Sequence, residues 1–189
     1  GGYTAAHGLE PDVVTIGKPI AGGVPAAAYG FDAELADRVA ASIELEDVDV
    51  GGVGGTLAAN ALSLAAMRAT LDEVLTETAF TGMITLAERW TEGVERGISE
   101  SGLPWHVTRL GCRAEYLFGP NRPRNGTEAH AAGDFALERY MHLHALNRGI
   151  LLTPFHNMAL MCPATTDDDV DLHTRVFREA VVELAGAAP

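Results

Sequence analysis

The chain has almost no lysine: of thirteen basic residues in 189, twelve are arginine and one is Lys18. Chemistry that needs a primary side-chain amine therefore has a single candidate. A compositional excess of Ala, Gly and Arg accounts for the missing lysines, but not for where this one stands. Cysteine is nearly as scarce. Cys112 and Cys162 form no CxxC pair and no Cys/His ladder, which excludes a structural zinc site and suits reduced thiols in a cytoplasmic protein. No apolar run reaches the roughly 18–20 residues of a membrane span, and "GGYTAAHGLE" at the start has no cationic region or apolar signal core. A cytoplasmic location and no membrane partner are expected. Net charge is −13, so phosphate backbones are repelled over most of the surface and nucleic-acid partners are excluded. With 47% apolar residues the chain has ample material for a core, and small-molecule chemistry remains.

Residues 12–17, "DVVTIG", are apolar and β-branched between Pro11 and Gly17, and read as a buried strand that ends at Lys18. "PIAGGVP" turns the chain and "AAAYG" supplies a second strand, so a hairpin presents the lysine. Asp32 is expected to cap a helix over 33–43, followed by the acidic loop "ELEDVDVGGVGG". Leu57, Ala61, Leu64, Leu71 and Leu75 recur at helical spacing, which predicts a long helix over 57–74 with one apolar face, able to link two domains. A second long helix is expected over 78–99, buried through Phe80, Met83, Ile84, Ala87, Val94 and Ile98. Two strands follow in 105–119 around Gly111, then a loop "PNRPRNGTE". Asp134 caps a helix over 135–147 that Gly149 ends; "ILLTP" and "NMALMC" read as strands, and Thr166 caps the last helix. From residue 78 on, this is an αββαββα arrangement with an antiparallel sheet. The expected domains are residues 1–76 and 77–189. Residues 1–30 read as the middle of a β-rich domain, so a C-terminal portion of a longer protein is expected.

A lysine used as a nucleophile or base must be partly desolvated, because an unperturbed amine is almost wholly protonated at pH 7. The end of an apolar strand offers that, and the adjacent glycines let a flat or phosphorylated ligand approach the backbone. The second constellation is "GGVGGTLAAN" at 51–60, where a glycine-rich loop runs through Thr56 toward a helix. Unpaired amides and the helix dipole there suit an anion; a plain cap on a flexible linker is the alternative.

"PDVVTIGKPIAGGVPAAAYG" at 11–30, with "GGTLAANALSLAAMRATLDEV" after it, resembles the lysine and Gly-Thr-x-x-x-Asn segments of class III aminotransferases, fold type I pyridoxal-phosphate enzymes. Within the class it is most similar to glutamate-1-semialdehyde aminomutase-like sequences. "RAEYLFGP" at 113–120 and "LNRGILLTPFHNMALM" at 146–161 point more narrowly to β-phenylalanine aminotransferases. The resemblance implies an α/β fold: the end of a fold type I large domain, then a small α+β domain with an antiparallel sheet. It implies that Lys18 forms an internal aldimine with pyridoxal phosphate and moves the substrate proton, and that Gly55 and Thr56 contact the cofactor phosphate, Thr56 from the neighbouring subunit of a homodimer with shared active sites. The partners implied are an amino acid, a β-amino acid on the narrower resemblance, and a 2-oxo acid.

A planar guanidinium is the natural partner of a substrate carboxylate. Arg148, before "GILLTP", is the first candidate and Arg113 the second; for each, a solvated arginine or an ion pair is the alternative. His156 is a candidate pocket residue, against ordinary packing. His142 and His144 stand two apart, which on a helix excludes a shared metal, and "TTDDDVD" lacks the features of a calcium loop. In the family, the aspartate that pairs with the pyridine nitrogen lies further before the lysine than this chain extends, so the N-terminal half is an expected partner. Two other readings stay open: a 2,1-aminomutase, and a non-catalytic fragment that dimerises or binds a phosphorylated ligand.

Overall fold

A computed structural model describes residues 2–43, 54–153 and 156–187. Most of the acidic loop lies outside the described residues. The chain divides into two units, Gly1–Thr76 and Glu77–Pro189.

In the first unit a short helix α1 (Gly2–Ala6) precedes strand β1 (Val13–Ile16). β1 pairs antiparallel with β2 (Ala28–Phe31), in a register running from Val13 opposite Phe31 to Ile16 opposite Ala28. The expected hairpin is there. Its burial is not: all four residues of β1 are exposed, because the pair is a two-stranded ribbon whose apolar side chains meet no second layer among the described residues of the unit. Asp32 Oδ1 accepts from the Leu35 amide at 2.7 Å and so starts α2 (Ala33–Ile43), as its short polar side chain predicts. The helix expected over 57–74 starts late. α3 spans Ala61–Ala69 and winds into a π turn over Thr70–Val74. None of the α3 side chains is buried, so the apolar face expected of this helix is open. Among the described residues, what is buried in this unit is Ile20 and Ala21, with Thr70 of the π turn.

The second unit opens with α4 (Glu77–Ser101), which buries Met83, Ala87, Trp90, Val94 and Ile98 at helical spacing. Phe80, expected inside, is 39% exposed near the helix start. Strands β3 (His106–Leu110) and β4 (Arg113–Leu117) turn at Gly111, whose φ of 57° is the left-handed conformation such a turn needs. Part of the expected loop is a short helix, α5 (Gly126–Ala131), because Asn125 Oδ1 accepts from the Glu128 amide. Asp134 caps α6 (Phe135–Leu146) by accepting from the Leu137 amide. Residues 150–153 are not a strand: the Ile150 amide donates to Ala145 O, closing the end of α6 instead of joining a ladder. β5 (Met158–Leu160) completes a three-stranded antiparallel sheet in the order β3-β4-β5. The last helix, α7 (Asp167–Ala187), is capped by Thr166.

One face of this sheet, with Val107, Ala114, Tyr116 and Ala159, joins side chains of α4 and α7 in a single core. α4 and α7 pack closely because Gly93 and Gly97 bring the backbones together. A Cβ at Gly93 would fall 2.5 Å from Thr174 Oγ1. At the edge of this packing Arg89 makes a two-pronged bond to Asp171, at 2.8 and 2.6 Å, and a third to Asp167 at 2.9 Å.

His173 of α7 lies in the core against Trp90 and Phe177, and its Nδ1 has no hydrogen-bond partner among the described residues. Burial disfavours the charged ring and pushes its pKa from 6.5 down to about 4. Between those values the unfolded chain holds a proton that the folded chain refuses, so stability is full above about 6.5 and is lost as pH falls toward 4. Thermal unfolding followed across this window is expected to show a falling Tm, and the slope should flatten in His173→Phe.

Candidate active site

Lys18 sits where β1 stops. Gly17 breaks the strand, Lys18 adopts φ 47°, and Pro19 starts a single 3₁₀ turn over Lys18–Ala21. Gly22, at φ 59°, closes the turn by donating its amide to Pro19 O at 3.3 Å. Beyond it Gly23 has φ 98°, and a Cβ there would meet no atom within 4 Å. The lysine side chain is exposed, and among the described residues no group accepts a hydrogen bond or ion pair from its ammonium. The desolvation expected of a buried strand is therefore not supplied by β1 itself. What β1 and the turn do supply is a fixed position and an amine free of competing partners, beside backbone without side chains.

Gly55 and Thr56 are exposed and enter a turn in which the Ala58 amide donates to Gly55 O at 2.8 Å. Ala59 takes φ 57°, and only then does Asn60 start α3, its Oδ1 accepting from the Leu62 and Ser63 amides at 3.1 and 3.2 Å. Thr56 is thus not the helix cap. The cap is Asn60, and the helix N-terminus is already satisfied by it. The start of α3 is tied to the segment between β1 and β2 through Ser63 Oγ, which donates to Pro25 O at 2.9 Å.

Arg148 follows α6 and is committed to α7. Its Nε donates to Glu179 Oε2 at 3.1 Å, its Nη1 to His144 O at 3.2 Å, and its Nη2 lies 3.8 Å from Glu183 Oε1. The geometry supports the ion-pair alternative for this residue. Replacing Arg148 with alanine is expected to lower stability by at most about 1 kcal/mol, since the pairs are partly exposed. Carboxylate-bearing and simple amine substrates should be affected alike. A selective rise in KM for the carboxylate would restore the substrate role.

Arg113 and His156 are brought together by a residue that sequence reasoning missed. Along β4, Ala114 and Tyr116 point into the core at 0% exposure, while Arg113 and Glu115 share the opposite face. Arg113 Nη2 donates to Glu115 Oε2 at 3.2 Å, and His156 Nδ1 lies 3.4 Å from Glu115 Oε1. His142 Nε2 meets the His156 carbonyl at 2.8 Å, so α6 holds the backbone of His156 from the other side. The Arg-x-Glu spacing on a strand was the available signal for the first contact; nothing local announced the second, between residues 41 apart. Among the described residues no cluster of His, Cys, Asp and Glu could hold a metal ion, and no helix is long and apolar enough to cross a membrane.

The solved structures that this chain resembles are fold type I pyridoxal-phosphate enzymes. A glutamate-1-semialdehyde aminomutase from Pseudomonas aeruginosa PAO1 matches with a TM-score of 0.92 and 52% identity, over 96% of this chain and 41% of that one. A lysine-to-alanine variant of that protein, in complex with PMP, matches with a TM-score of 0.91. The β-phenylalanine aminotransferase of Variovorax paradoxus, 24% identical over 98% of this chain and 42% of that one with a TM-score of 0.81, shares the fold. By sequence, the glutamate-1-semialdehyde 2,1-aminomutase of Thermomicrobium roseum is 33% identical over 186 residues, 98% of this chain. The chain spans 42% of the length of that relative. The class-III aminotransferase family model matches residues 1–181, and the chain belongs to that family. Its members are pyridoxal-phosphate-dependent.

Proposed function

We propose that this chain carries the lysine and the substrate-recognition unit of a pyridoxal-phosphate-dependent aminotransferase, which moves an amino group from an amino acid to a 2-oxo acid. The observation that carries the reading is Lys18: the one lysine, unpaired among the described residues, fixed by backbone on a glycine-flanked turn in a class-III chain. These residues fit the cofactor, since an amine with no competing partner and a neighbouring backbone without side chains are what a flat, phosphorylated aldehyde requires. When bound, pyridoxal phosphate supplies the electron sink that stabilises negative charge at the substrate carbon.

Lys18 would hold the cofactor, and its Nζ is the base that takes the proton from the substrate carbon and returns it. A tethered amine adds proximity to basicity. The Thr56 hydroxyl and the Gly55 backbone are assigned to the cofactor phosphate, and Arg113 and His156 to the substrate. Residues 1–76 would belong to the large cofactor-binding domain and 77–189 to the small one. A cytoplasmic homodimer with shared active sites, together with an N-terminal half of the same protein, is the assembly proposed. The exposed apolar residues Val13, Val14, Ile16, Tyr29 and Phe31 of the hairpin support burial against further protein.

A 2,1-aminomutase is the second reading, favoured by the names of the relatives at 33% and 52% identity. Two measurements decide. Borohydride reduction followed by peptide mass spectrometry should leave the cofactor mass on the peptide containing Lys18; an unmodified peptide would support a non-catalytic chain. Turnover of an amino donor should require an added 2-oxo acid, and turnover without one would assign the aminomutase.

A further inference from the structure

We propose that Glu115 is a positioning residue that holds the Arg113 guanidinium and the His156 imidazole as one recognition element for a substrate carboxylate. The inference rests on the substrate role given above to Arg113 and His156 and adds what fixes them. Glu115 divides its two oxygens between two cationic or potentially cationic partners: Oε2 accepts from Arg113 and Oε1 faces His156 Nδ1. Exposure is graded the same way. The Glu115 side chain is 15% exposed, whereas those of Arg113 and His156 are 49% and 53% exposed. The anion lies inside and its two partners face out.

A carboxylate so far removed from water needs partners for both oxygens, which holds it in place and makes it a fixed point for them in turn. Its own position is set by the sheet, with Thr108 of β3 on one side and Met158 of β5 on the other. Arg113 makes a single donation to Glu115, which leaves its Nε and Nη1 without a partner among the described residues. Nε and Nη1 lie on different sides of the guanidinium, and each can donate one bond to a carboxylate. With Nδ1 turned to Glu115, the His156 ring directs Nε2 away from it, where it donates to an anion when the ring is protonated. The His142 contact stops the His156 backbone from carrying the ring elsewhere. Leu110 and Leu160, opposite Arg113 on the two neighbouring strands and each 57% exposed, give the element an apolar rim.

The test is Glu115→Gln in the cofactor-loaded protein, which keeps size and hydrogen-bonding capacity but removes the charge and offers His156 a donor. KM for carboxylate-bearing substrates should rise about tenfold while kcat changes less than about twofold, the signature of lost ground-state binding. KM for a simple arylalkyl amine should stay the same. Two further readouts do not depend on turnover. Nitrogen-15 NMR of His156 should show the ring proton on Nδ1 in the parent protein and displaced from it in the variant, and binding of succinate, used as an unreactive dicarboxylate probe, should weaken about tenfold. If Glu115→Gln fails to fold, His156→Gln and Arg113→Gln probe the same element, and their combined effect on succinate binding should fall short of the product of the single effects. Unchanged succinate affinity, or independent effects of Arg113 and His156, would overturn the proposal. Cofactor trapping at Lys18 in the same preparations separates the two failures: normal trapping with unaltered carboxylate binding removes the role of Glu115 alone, whereas absent trapping removes the aminotransferase reading.

Discussion

Replacing Lys18 with alanine is expected to lower turnover of the cofactor-loaded protein by about a thousandfold or more, the scale of a lost general base with its tethered geometry. The absorbance of the covalently held cofactor should vanish with it, and borohydride should leave no cofactor mass on the peptide. No second side chain offers a primary amine from within the chain, because Lys18 is its one lysine and the twelve arginines are guanidiniums that do not give up a proton near neutral pH. Added small amines should restore part of the rate if the loss is that of a base. A Lys18→Ala protein that keeps more than about a tenth of its turnover would show that the base lies elsewhere. The fold of the second unit should be untouched, which a parallel unfolding experiment checks.

The largest effect on stability is expected from Trp90→Ala. Trp90 is 1% exposed on α4 and stacks toward Tyr116 of β4 with ring centroids 6.3 Å apart, and its ring lies 5.0 Å from that of His173 on α7. It therefore joins three elements of the core at one point. Truncating a buried aromatic of this kind costs about 3–5 kcal/mol, from lost transfer free energy and the cavity left behind. For a unit of this size the Tm should fall by more than about 10 °C. Trp90→Phe should lose markedly less. A drop of only about 1 kcal/mol in Trp90→Ala would mean that the neighbouring rings collapse into the space.

What the sequence made legible were the features set by neighbours along the chain. Asp32, Asp134 and Thr166 cap helices because a short polar side chain reaches an amide three residues on, which depends on nothing distant. The fold type I likeness was legible for the same reason, through the segments around Lys18 and Thr56. The structure departs from the sequence expectation where two local solutions compete. Leu57 fits the helical repeat of Ala61 and Leu64, yet Ala59 turns left-handed and Asn60 takes the capping role. The apolar run at 150–153 has the composition of a strand, but strand identity needs a pairing partner that composition does not show. The apolar residues of β1 predict a buried strand, whereas burial depends on what covers a sheet. The candidate substrate element was half legible: Arg113 and His156 stood out as residue types, while Glu115, which joins them, is found only when β4 and the segment after residue 155 are seen side by side.

The backbone of Lys18 carries a further consequence. A left-handed φ of 47° in a residue with a Cβ costs on the order of 1–3 kcal/mol, and glycine would occupy the position at less cost. Selection for thermal robustness alone would therefore push this position toward glycine, and only selection for an amine would oppose it. On the role proposed for Lys18, stability and chemistry compete at this residue, and a stabilised version of this chain has to gain its margin elsewhere.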